Sequence, residues 1–333
     1  MEKPLHYLQW HITHVCNLRC IHCYQEDYRA HMPRPMAEQV LAQYDAYLRK
    51  HRLQGQINLT GGEPLLHPEF FALAREIRLR GHRLGVLTNG TLIDAACAER
   101  LAALHPVFVQ VSLDGPERIH DGIRGEGNFA RAMRGIDCLK RAGVKVLVSF
   151  TAQKSNCKSL LPLSVACRRH RVDKLWWDRV VTDDPAQYLT TEEFRRLTQT
   201  ANRLRRAERL ILRKPMVSVS RALQADNCAR DGAYRCGAGG NLAIVLADGR
   251  VMPCRRLPYI IGDLHEQTLE ELLDNSPIMK ELARPQHPEA CEGCKRFPMC
   301  GGGARCVTLA QTGDVNARDV NCFRCVNAFI EQH

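Results

Sequence analysis

The segment Cys16-Asn-Leu-Arg-Cys20-Ile-His-Cys23 carries three cysteines within eight residues, shortly after an apolar run at residues 8–12. A structural zinc ion on this loop would require a fourth ligand, which His14 or His22 could supply. An iron–sulfur cluster held by three thiolates would instead leave one iron open to an external ligand. The spacing of three and then two intervening residues favours the cluster.

The composition narrows the class of protein. The chain has 333 residues and 16 cysteines, with 47 Lys and Arg against 36 Asp and Glu, a formal net charge of +11. A hydrophobic content of 45% with 25% charged residues excludes disordered and fibrous proteins. No apolar run approaches the roughly 18 residues of a membrane helix, and the first residues lack a secretory signal. We therefore expect a cytoplasmic protein without membrane association, whose cysteines serve metal or redox chemistry.

The remaining cysteines fall into two groups. Four stand alone and are expected to be small buried side chains without a metal role: Cys97, Cys138, Cys157 and Cys167. Nine lie in the last third of the chain: Cys228, Cys236, Cys254, Cys291, Cys294, Cys300, Cys306, Cys322 and Cys325. This segregation predicts two metal-binding regions separated by a scaffold that is largely free of metal ligands.

Between the two cysteine groups, apolar runs alternate with helical patterns. The runs predict strands at residues 8–12, 57–59, 84–87, 107–113, 144–150 and 175–181. The intervening patterns predict helices at 38–49, 69–80, 94–104, 129–141 and 160–171. Repeated strand–helix units imply a parallel sheet that curls toward a barrel, with its chemistry at the C-terminal strand ends. Polar residues cluster at those ends, which indicates an enzyme.

The motifs that follow the strands resemble those of the radical S-adenosylmethionine (SAM) superfamily, whose members hold a [4Fe–4S] cluster on a Cys-x3-Cys-x2-Cys loop. The likeness continues with Gly61-Gly62-Glu63-Pro64, Thr88-Asn89-Gly90 and Val111-Ser112-Leu113-Asp114-Gly115 in the family's order. It covers about residues 7–181. It implies an α/β fold, a partial (β/α)6 radical SAM barrel, with the cluster on Cys16, Cys20 and Cys23.

The resemblance also implies how SAM is held. The two glycines let backbone approach the ligand, and the Glu63 carboxylate pairs with the methionine ammonium. Ser112 and Asp114 are expected to contact the ribose and the methionine carboxylate, and Arg124 to pair with that carboxylate. The cofactor contacts so predicted are His22, Gly61, Gly62, Glu63, Pro64, Asn89, Ser112, Asp114 and Arg124.

The C-terminal cysteines resemble the SPASM domain, an auxiliary-cluster domain of radical enzymes that modify peptides. Its opening Cys–Gly–Cys element matches Cys236, Gly249 and Cys254, and its next run matches Cys291-x2-Cys294-x5-Cys300. A hairpin with an Asp-Gly turn is predicted at 242–252 and a short helix at 268–273, with loop elsewhere. The expected domains are the barrel at 1–185, a linking helical region at 186–222, and a Cys-rich, loop-rich auxiliary-cluster domain at 223–333.

The family pattern implies one or two auxiliary [4Fe–4S] clusters. The first takes Cys236, Cys254 and Cys306, with Cys228 as a further candidate, and the second takes Cys291, Cys294, Cys300 and either Cys322 or Cys325. Ala304 stands where the family has a ligand cysteine. Either Cys306 replaces that ligand, or one cluster has an open iron or is absent. A zinc ribbon on Cys291, Cys294, Cys322 and Cys325 is the alternative.

The two resemblances together imply a peptide maturase. A 5′-deoxyadenosyl radical would abstract hydrogen from a ribosomally synthesised precursor peptide, giving a cross-link, thioether, epimer or excised backbone. Arg255 stands where sulfatase-maturing relatives carry an Asp, which disfavours that reaction. Fewer than ten residues precede the first predicted strand, so peptide recognition is expected from the C-terminal domain, a basic helix at 190–214, or a separate leader-peptide-binding protein.

Other partners and functions remain open from sequence. The family uses an electron donor such as flavodoxin or ferredoxin. The arginines of residues 190–214 indicate either a solvated helix face or a ridge that docks an acidic peptide or RNA. No RNA-binding module is recognisable, so nucleic acid is not the expected partner. The alternatives are a radical SAM enzyme acting on a small molecule such as a tetrapyrrole side chain, and a non-enzymatic iron–sulfur and SAM-binding sensor or scaffold.

Overall fold

The computed structural model describes residues 3–25, 27–211, 216–218, 236–284, 288–294 and 297–322, so the predicted ligands Cys228 and Cys325 lie outside the described residues. The strands are β1 (Leu5–Thr13), β2 (Gln54–Gly61), β3 (Arg83–Thr88), β4 (Phe108–Ser112), β5 (Val146–Ala152), β6 (Lys174–Arg179), β7 (Leu242–Val245), β8 (Arg250–Met252) and β9 (Gly262–Asp263). The helices are α1 (Arg34–Lys50), α2 (Phe70–Leu79), α3 (Ala95–Ala102), α4 (Glu117–Arg124), α5 (Asn128–Arg141), α6 (Leu160–Arg169), α7 (Thr191–Ile211), α8 (Leu269–Asn275), α9 (Pro277–Ala283), α10 (Phe297–Cys300) and α11 (Arg305–Thr312).

All six predicted strands and five predicted helices of the barrel are present, in the predicted order. The chain thus has the α/β architecture of a partial (β/α)6 barrel. Sequence analysis missed α4, because only His120 and Ile123 of this short helix are buried and its apolar periodicity is therefore faint. It also expected loop where α9 and α11 form, although Ser276 and Pro277 begin α9 and Gly313 ends α11 in the left-handed region. Among the described helices, none is long and apolar enough to cross a membrane.

The chain divides into two compact units, the first of which comprises residues 1–112, 130–146 and 237–284. Its parallel strands run in the order β4-β3-β2-β1-β7, and β8 and β9 continue the sheet in antiparallel pairing. The side chains of Leu8, Trp10, Ile12, Ile57 and Leu59 are completely buried in its core. The predicted hairpin at 242–252 is confirmed, with Gly249 at a φ of 90° in the turn.

Within this unit, the segment 237–284 is fastened to the first helix of the chain. Gln39 Nε2 donates to the Leu264 carbonyl at 2.7 Å, and Gln43 Oε1 accepts from the Leu269 N–H at 2.8 Å. Lys50 Nζ lies 2.7 Å from Glu270 Oε1. These contacts and the β1–β7 pairing place residues 237–284 in one unit with β1 to β4. The domain boundaries at residues 185 and 222 stay a prediction.

The second unit comprises residues 113–129, 147–236 and 285–333, of which the described part carries β6 and most of β5 as a parallel pair. Helix α7 packs on it through Phe194, whose ring centroid lies 5.9 Å from that of Trp177. Arginines of α7 such as Arg203 and Arg206 are exposed, and Arg196 pairs with Glu192 on the helix surface. This arrangement agrees with a solvated helix face.

Candidate functional site

The ends of β1 and β2 approach each other closely at the paired glycines. Gly62 N–H donates to the Thr13 carbonyl and Glu63 N–H to the Val15 carbonyl, both at 2.8 Å. A Cβ on Gly61 would lie 2.2 Å from the Thr13 oxygen, and one on Gly62 would lie 2.3 Å from the Val15 oxygen. Only glycine permits this approach, which joins the turn after β2 to the start of the cysteine loop.

Glu63 is a completely buried carboxylate held only by neutral donors. Its Oε1 accepts from Thr88 Oγ1 at 2.7 Å and from the Leu65 N–H at 3.2 Å, and its Oε2 accepts from the Asn89 N–H at 2.8 Å. Burial raises its pKa to about 7, against the lowering effect of these hydrogen bonds. No cation of the described residues pairs with it, so the carboxylate is oriented and ready for a cationic ligand such as an ammonium group.

Asn89 connects the end of β3 to the cysteine loop. Its Nδ2 donates to Asn17 Oδ1 at 2.9 Å, and Asn17 Nδ2 donates to Thr91 Oγ1 at 2.9 Å. The Asn89 Oδ1 in turn accepts from the Thr91 N–H and hydroxyl. The side chain predicted to contact the cofactor therefore also positions the loop between Cys16 and Cys20.

The three cysteines of the loop are neighbours. Burial, against the lowering effect of the hydrogen bond from the Leu18 N–H and with smaller contributions from Glu63, Cys20 and Cys23, raises the pKa of Cys16 to about 11. The Cys23 N–H donates to the Cys20 carbonyl at 3.0 Å, and Arg19 Nη1 donates to the Cys16 carbonyl at 2.7 Å. A cation placed among these thiols would reverse the effect of burial and favour the thiolates.

The donor set suits a cluster better than a single ion. In the described parts of the chain, no three His, Cys, Asp or Glu side chains converge closely enough to bind one metal ion. His14 lies on the strand side of the loop with its Nδ1 3.9 Å from Asp27 Oδ2, and His22 is half-buried between Cys20 and Cys23. A cluster binds each thiolate through a different iron, so it needs neighbouring thiols that surround a larger volume.

In the second unit, Asp114 and Arg124 form a buried pair that sequence analysis did not foresee. Arg124 Nε donates to Asp114 Oδ2 at 2.6 Å, and Asp114 Oδ1 accepts from the Thr151 N–H at 3.1 Å. The Asp114 N–H donates to His120 Nδ1 at 3.2 Å. Both residues were predicted to contact SAM, which stays a prediction; the structure shows in addition that they pair with each other, so that Asp114 orients the guanidinium. Ser112, in the first unit, is half-buried at the end of β4.

Four C-terminal cysteines of the second unit gather in one place. Burial raises the pKa of Cys300 to about 12, and Cys322, Asp319 and Cys291 add to the rise. Burial also raises the pKa of Cys291, and Cys322 and Cys294 add to that rise. These four thiols fit the ligand set predicted for the second auxiliary cluster. Cys325, the alternative fourth ligand, lies outside the described residues, so the choice between it and Cys322 stays a prediction.

Ala304 lies in an apolar setting. It is buried against Val307, and Val181, Cys306 and Val320 pack around them. The Ala304 N–H donates to Asp319 Oδ2 at 3.0 Å. Cys306 is half-buried beside these apolar side chains, and its role as the replacement ligand stays a prediction. Of the four single cysteines, Cys167 is buried as expected, whereas Cys97, Cys138 and Cys157 are partly exposed.

A buried ion pair organises the segment that carries these cysteines. Arg179 Nη1 and Nη2 lie 2.6 Å from Asp319 Oδ1 and Oδ2, and Nη1 also donates to Asn321 Oδ1 at 2.7 Å. A Cβ on Gly303 would lie 2.3 Å from the Asp319 Cβ, which explains a glycine there. Burial alone would raise the pKa of Asp319, but the Arg179 charge and hydrogen bonds lower it. Residues 140 positions apart gave no sequence signal of this contact.

The chain was then compared with known proteins. Residues 10–152 match the radical SAM superfamily, and residues 236–295 match the SPASM iron–sulfur cluster-binding domain. The pre-heme d1 synthase of Dinoroseobacter shibae is 27% identical and covers 94% of this chain and 85% of its own length. Mycofactocin maturase MftC of Mycobacterium ulcerans is 28% identical and covers 95% of this chain and 87% of its own. The structure of anSMEcpe with bound AdoMet and Cp18Cys peptide shares the fold, with a TM-score of 0.81 at 21% identity over 98% of this chain and 96% of that one.

Proposed function

Because the chain combines a radical SAM domain with a SPASM iron–sulfur cluster-binding domain, it is a radical SAM enzyme, and we propose that its substrate is a ribosomally synthesised peptide. The product would be a cross-link, a thioether, an epimer or an excised backbone. An electron donor such as flavodoxin or ferredoxin would supply the reducing electron. A separate leader-peptide-binding protein would present the peptide.

The observation that carries the SAM site is the buried Glu63 carboxylate. It has three neutral donors and no cationic partner within the described residues, so it would accept the methionine ammonium of SAM. Cys16, Cys20 and Cys23 would hold the [4Fe–4S] cluster. When bound, the reduced cluster and SAM supply a 5′-deoxyadenosyl radical that abstracts hydrogen from the substrate.

The chain's own residues would orient these groups. Gly61 and Gly62 bring backbone close to the cysteine loop, and Asn89 fixes that loop through Asn17. Asp114 holds Arg124, whose guanidinium would meet the methionine carboxylate. In the second unit, Cys291, Cys294, Cys300 and Cys322 would hold an auxiliary cluster.

The likeness to mycofactocin maturase, at 28% identity over 95% of this chain, supports a peptide substrate. The nearly equal likeness to pre-heme d1 synthase, at 27% identity, favours a second candidate, in which the same radical modifies a tetrapyrrole side chain. Both reactions would use the same SAM site and would differ in the substrate that binds beside it. The substrate class therefore has to be tested separately from radical formation.

Anaerobic reconstitution with iron, sulfide, dithionite and SAM tests radical formation, with 5′-deoxyadenosine measured by mass spectrometry. We expect 5′-deoxyadenosine from the wild type and none from Cys16→Ala, which should keep its auxiliary iron. If a wild-type sample holds about eight or more irons per chain and yields no 5′-deoxyadenosine, the conclusion that the chain is a radical SAM enzyme is refuted. Incubation with synthetic peptides from short reading frames beside the gene, and separately with iron-coproporphyrin III, then assigns the substrate class by the mass change of one of them.

A further inference from the structure

Arg255 is a half-buried cation beside the cysteine loop, in the first unit. Its guanidinium carbon lies 4.3 Å from the centroid of the Tyr24 ring, and its Nη2 donates to the Tyr24 carbonyl at 3.4 Å. Its Nε is buried and has no hydrogen-bond partner among the described residues. Tyr24 directly follows Cys23, and Arg255 directly follows Cys254, so the stacked pair joins two segments predicted to bind clusters.

The described residues provide no carboxylate partner for this guanidinium. Two acids lie in its neighbourhood. Asp248 Oδ2 already accepts from Arg250 Nε at 2.7 Å and lies 2.6 Å from Arg250 Nη2, and Asp27 Oδ2 lies 3.9 Å from His14 Nδ1. Burial, followed by the charge of Arg255, lowers the pKa of the nearby His11 to about 3. With no carboxylate of the described residues at ion-pair distance, the half-buried guanidinium would be stabilised by a bound anion.

Two large side chains of the cysteine loop are exposed. Tyr24, which follows Cys23, is 49% exposed, and Ile21, which follows Cys20, is 59% exposed. Both offer apolar contact area to a ligand that binds beside the loop. A planar guanidinium fork whose face is covered by an aromatic ring presents its edge to a carboxylate.

We propose that Arg255 and Tyr24 form a subsite for a carboxylate of the substrate, with the guanidinium edge pairing with the oxygens and the exposed Tyr24 ring and Ile21 contacting adjoining apolar atoms. This inference rests on the proposed function and specifies the chemistry of its substrate. The carboxylate can belong to an acidic side chain of a peptide or to a propionate of a tetrapyrrole. Arg255 is a specificity-determining residue in both cases.

Binding without turnover tests the subsite in anaerobically reconstituted protein. The probes are coproporphyrin III against its tetramethyl ester, followed by absorbance, and acetylated Ala-Ala-Glu-Ala-Ala-Glu amide against the same peptide with Gln, followed by calorimetry. We expect the wild type to bind the acid of one pair about tenfold more tightly than its neutral counterpart. The pair that shows this preference identifies the source of the carboxylate.

The variants assign the preference to Arg255. Arg255→Met should abolish the discrimination between acid and neutral probe, Arg255→Lys should restore part of it, and Arg169→Met, which removes an exposed charge on α6, should keep it. Equal binding of acid and neutral probes by the wild type would overturn the subsite. Equal weakening of both probes in Arg255→Met, or absence of binding of either acid at millimolar concentration, would also overturn it. Because 5′-deoxyadenosine is measured separately, failure of radical formation would refute the proposed function while leaving a measured carboxylate preference intact.

Discussion

Glu63 and Asp319 are both buried carboxylates, and their surroundings differ in one respect. Asp319 faces the bidentate guanidinium of Arg179, whereas Glu63 faces a hydroxyl and two backbone N–H groups. The pKa of Asp319 is accordingly lowered, and burial raises that of Glu63 to about 7. A buried carboxylate that is paired with a cation of the same chain stabilises the fold around it. A carboxylate that is buried without such a cation is available to a cationic ligand.

A third carboxylate shows that burial is the deciding variable. Glu271 accepts the Thr268 N–H at 2.9 Å and the Thr268 hydroxyl at 2.8 Å, donors of the same kinds as those around Glu63. It is exposed at the start of α8, and its pKa is lowered by the Thr268 backbone N–H first and by the hydroxyl second. Neutral donors therefore suffice to stabilise a carboxylate in water but not one in the protein interior.

The largest expected effect belongs to the paired carboxylate. Arg179→Met leaves Asp319 buried without its cation and should lower the free energy of unfolding by about 3–5 kcal/mol. Denaturant unfolding of the anaerobic protein measures this, with Arg169→Met as the exposed control. The double variant Arg179→Met/Asp319→Asn should be less destabilised than the sum of the single changes. Strict additivity would show that the pair is not coupled.

The pH dependence of stability tests the unpaired carboxylate. Folded Glu63 keeps its proton up to a pKa of about 7, against 4.5 in the unfolded chain. The folded state therefore binds more protons between these values, so its contribution to stability is lost as the pH rises through 7. The free energy of unfolding of wild type relative to Glu63→Gln should fall by about 3 kcal/mol from pH 4.5 to pH 8 in the absence of SAM. A constant difference would contradict the raised pKa.

The affinity for SAM should change with pH in the opposite direction to stability, because the ionised Glu63 is the form that binds an ammonium group. We expect Glu63→Gln to weaken SAM binding about tenfold, because the ammonium loses its charged partner. Glu99→Gln removes an exposed carboxylate on α3 and serves as the control. Equilibrium dialysis of the reconstituted protein measures both affinities. Wild-type affinity should also fall below pH 7, where Glu63 becomes protonated, whereas Glu63→Gln should not show this decline.

The smallest effect is expected at the exposed carboxylate. Thr268→Ala removes the hydroxyl from the capping box that Thr268 forms with Glu271 at the start of α8. The loss should lower the free energy of unfolding by about 1 kcal/mol. The decrease in the free energy of unfolding, measured with denaturant, should be well below the decrease caused by Arg179→Met. A comparable effect would mean that burial does not distinguish the exposed Glu271 from the buried Asp319.

Local patterns explain what could be predicted from the sequence. The strands β1 to β6 follow from apolar runs, and the glycine pair from its place after β2, since both signals lie within a few residues. The Arg179–Asp319 pair joins residues 140 positions apart, and the β1–β7 pairing joins Tyr7 to Leu242. Neither contact gives a signal in the sequence around the residues that form it. The proximity of Cys322 to Cys291 likewise depends on how the chain returns in space.

The pairing of β1 with β7 has a consequence for how the chain is made. The edge partner that covers β1, Leu242–Val245, includes Leu242, which pairs with Tyr7 and is synthesised more than 230 residues after it. Until then, β1 presents an unpaired edge and an apolar core strand to other chains. Closing such a long-range contact is slow and leaves nascent chains prone to aggregation. Completion of this sheet thus has to wait until β7 is synthesised, by which time the loop with Cys16, Cys20 and Cys23 has already left the ribosome.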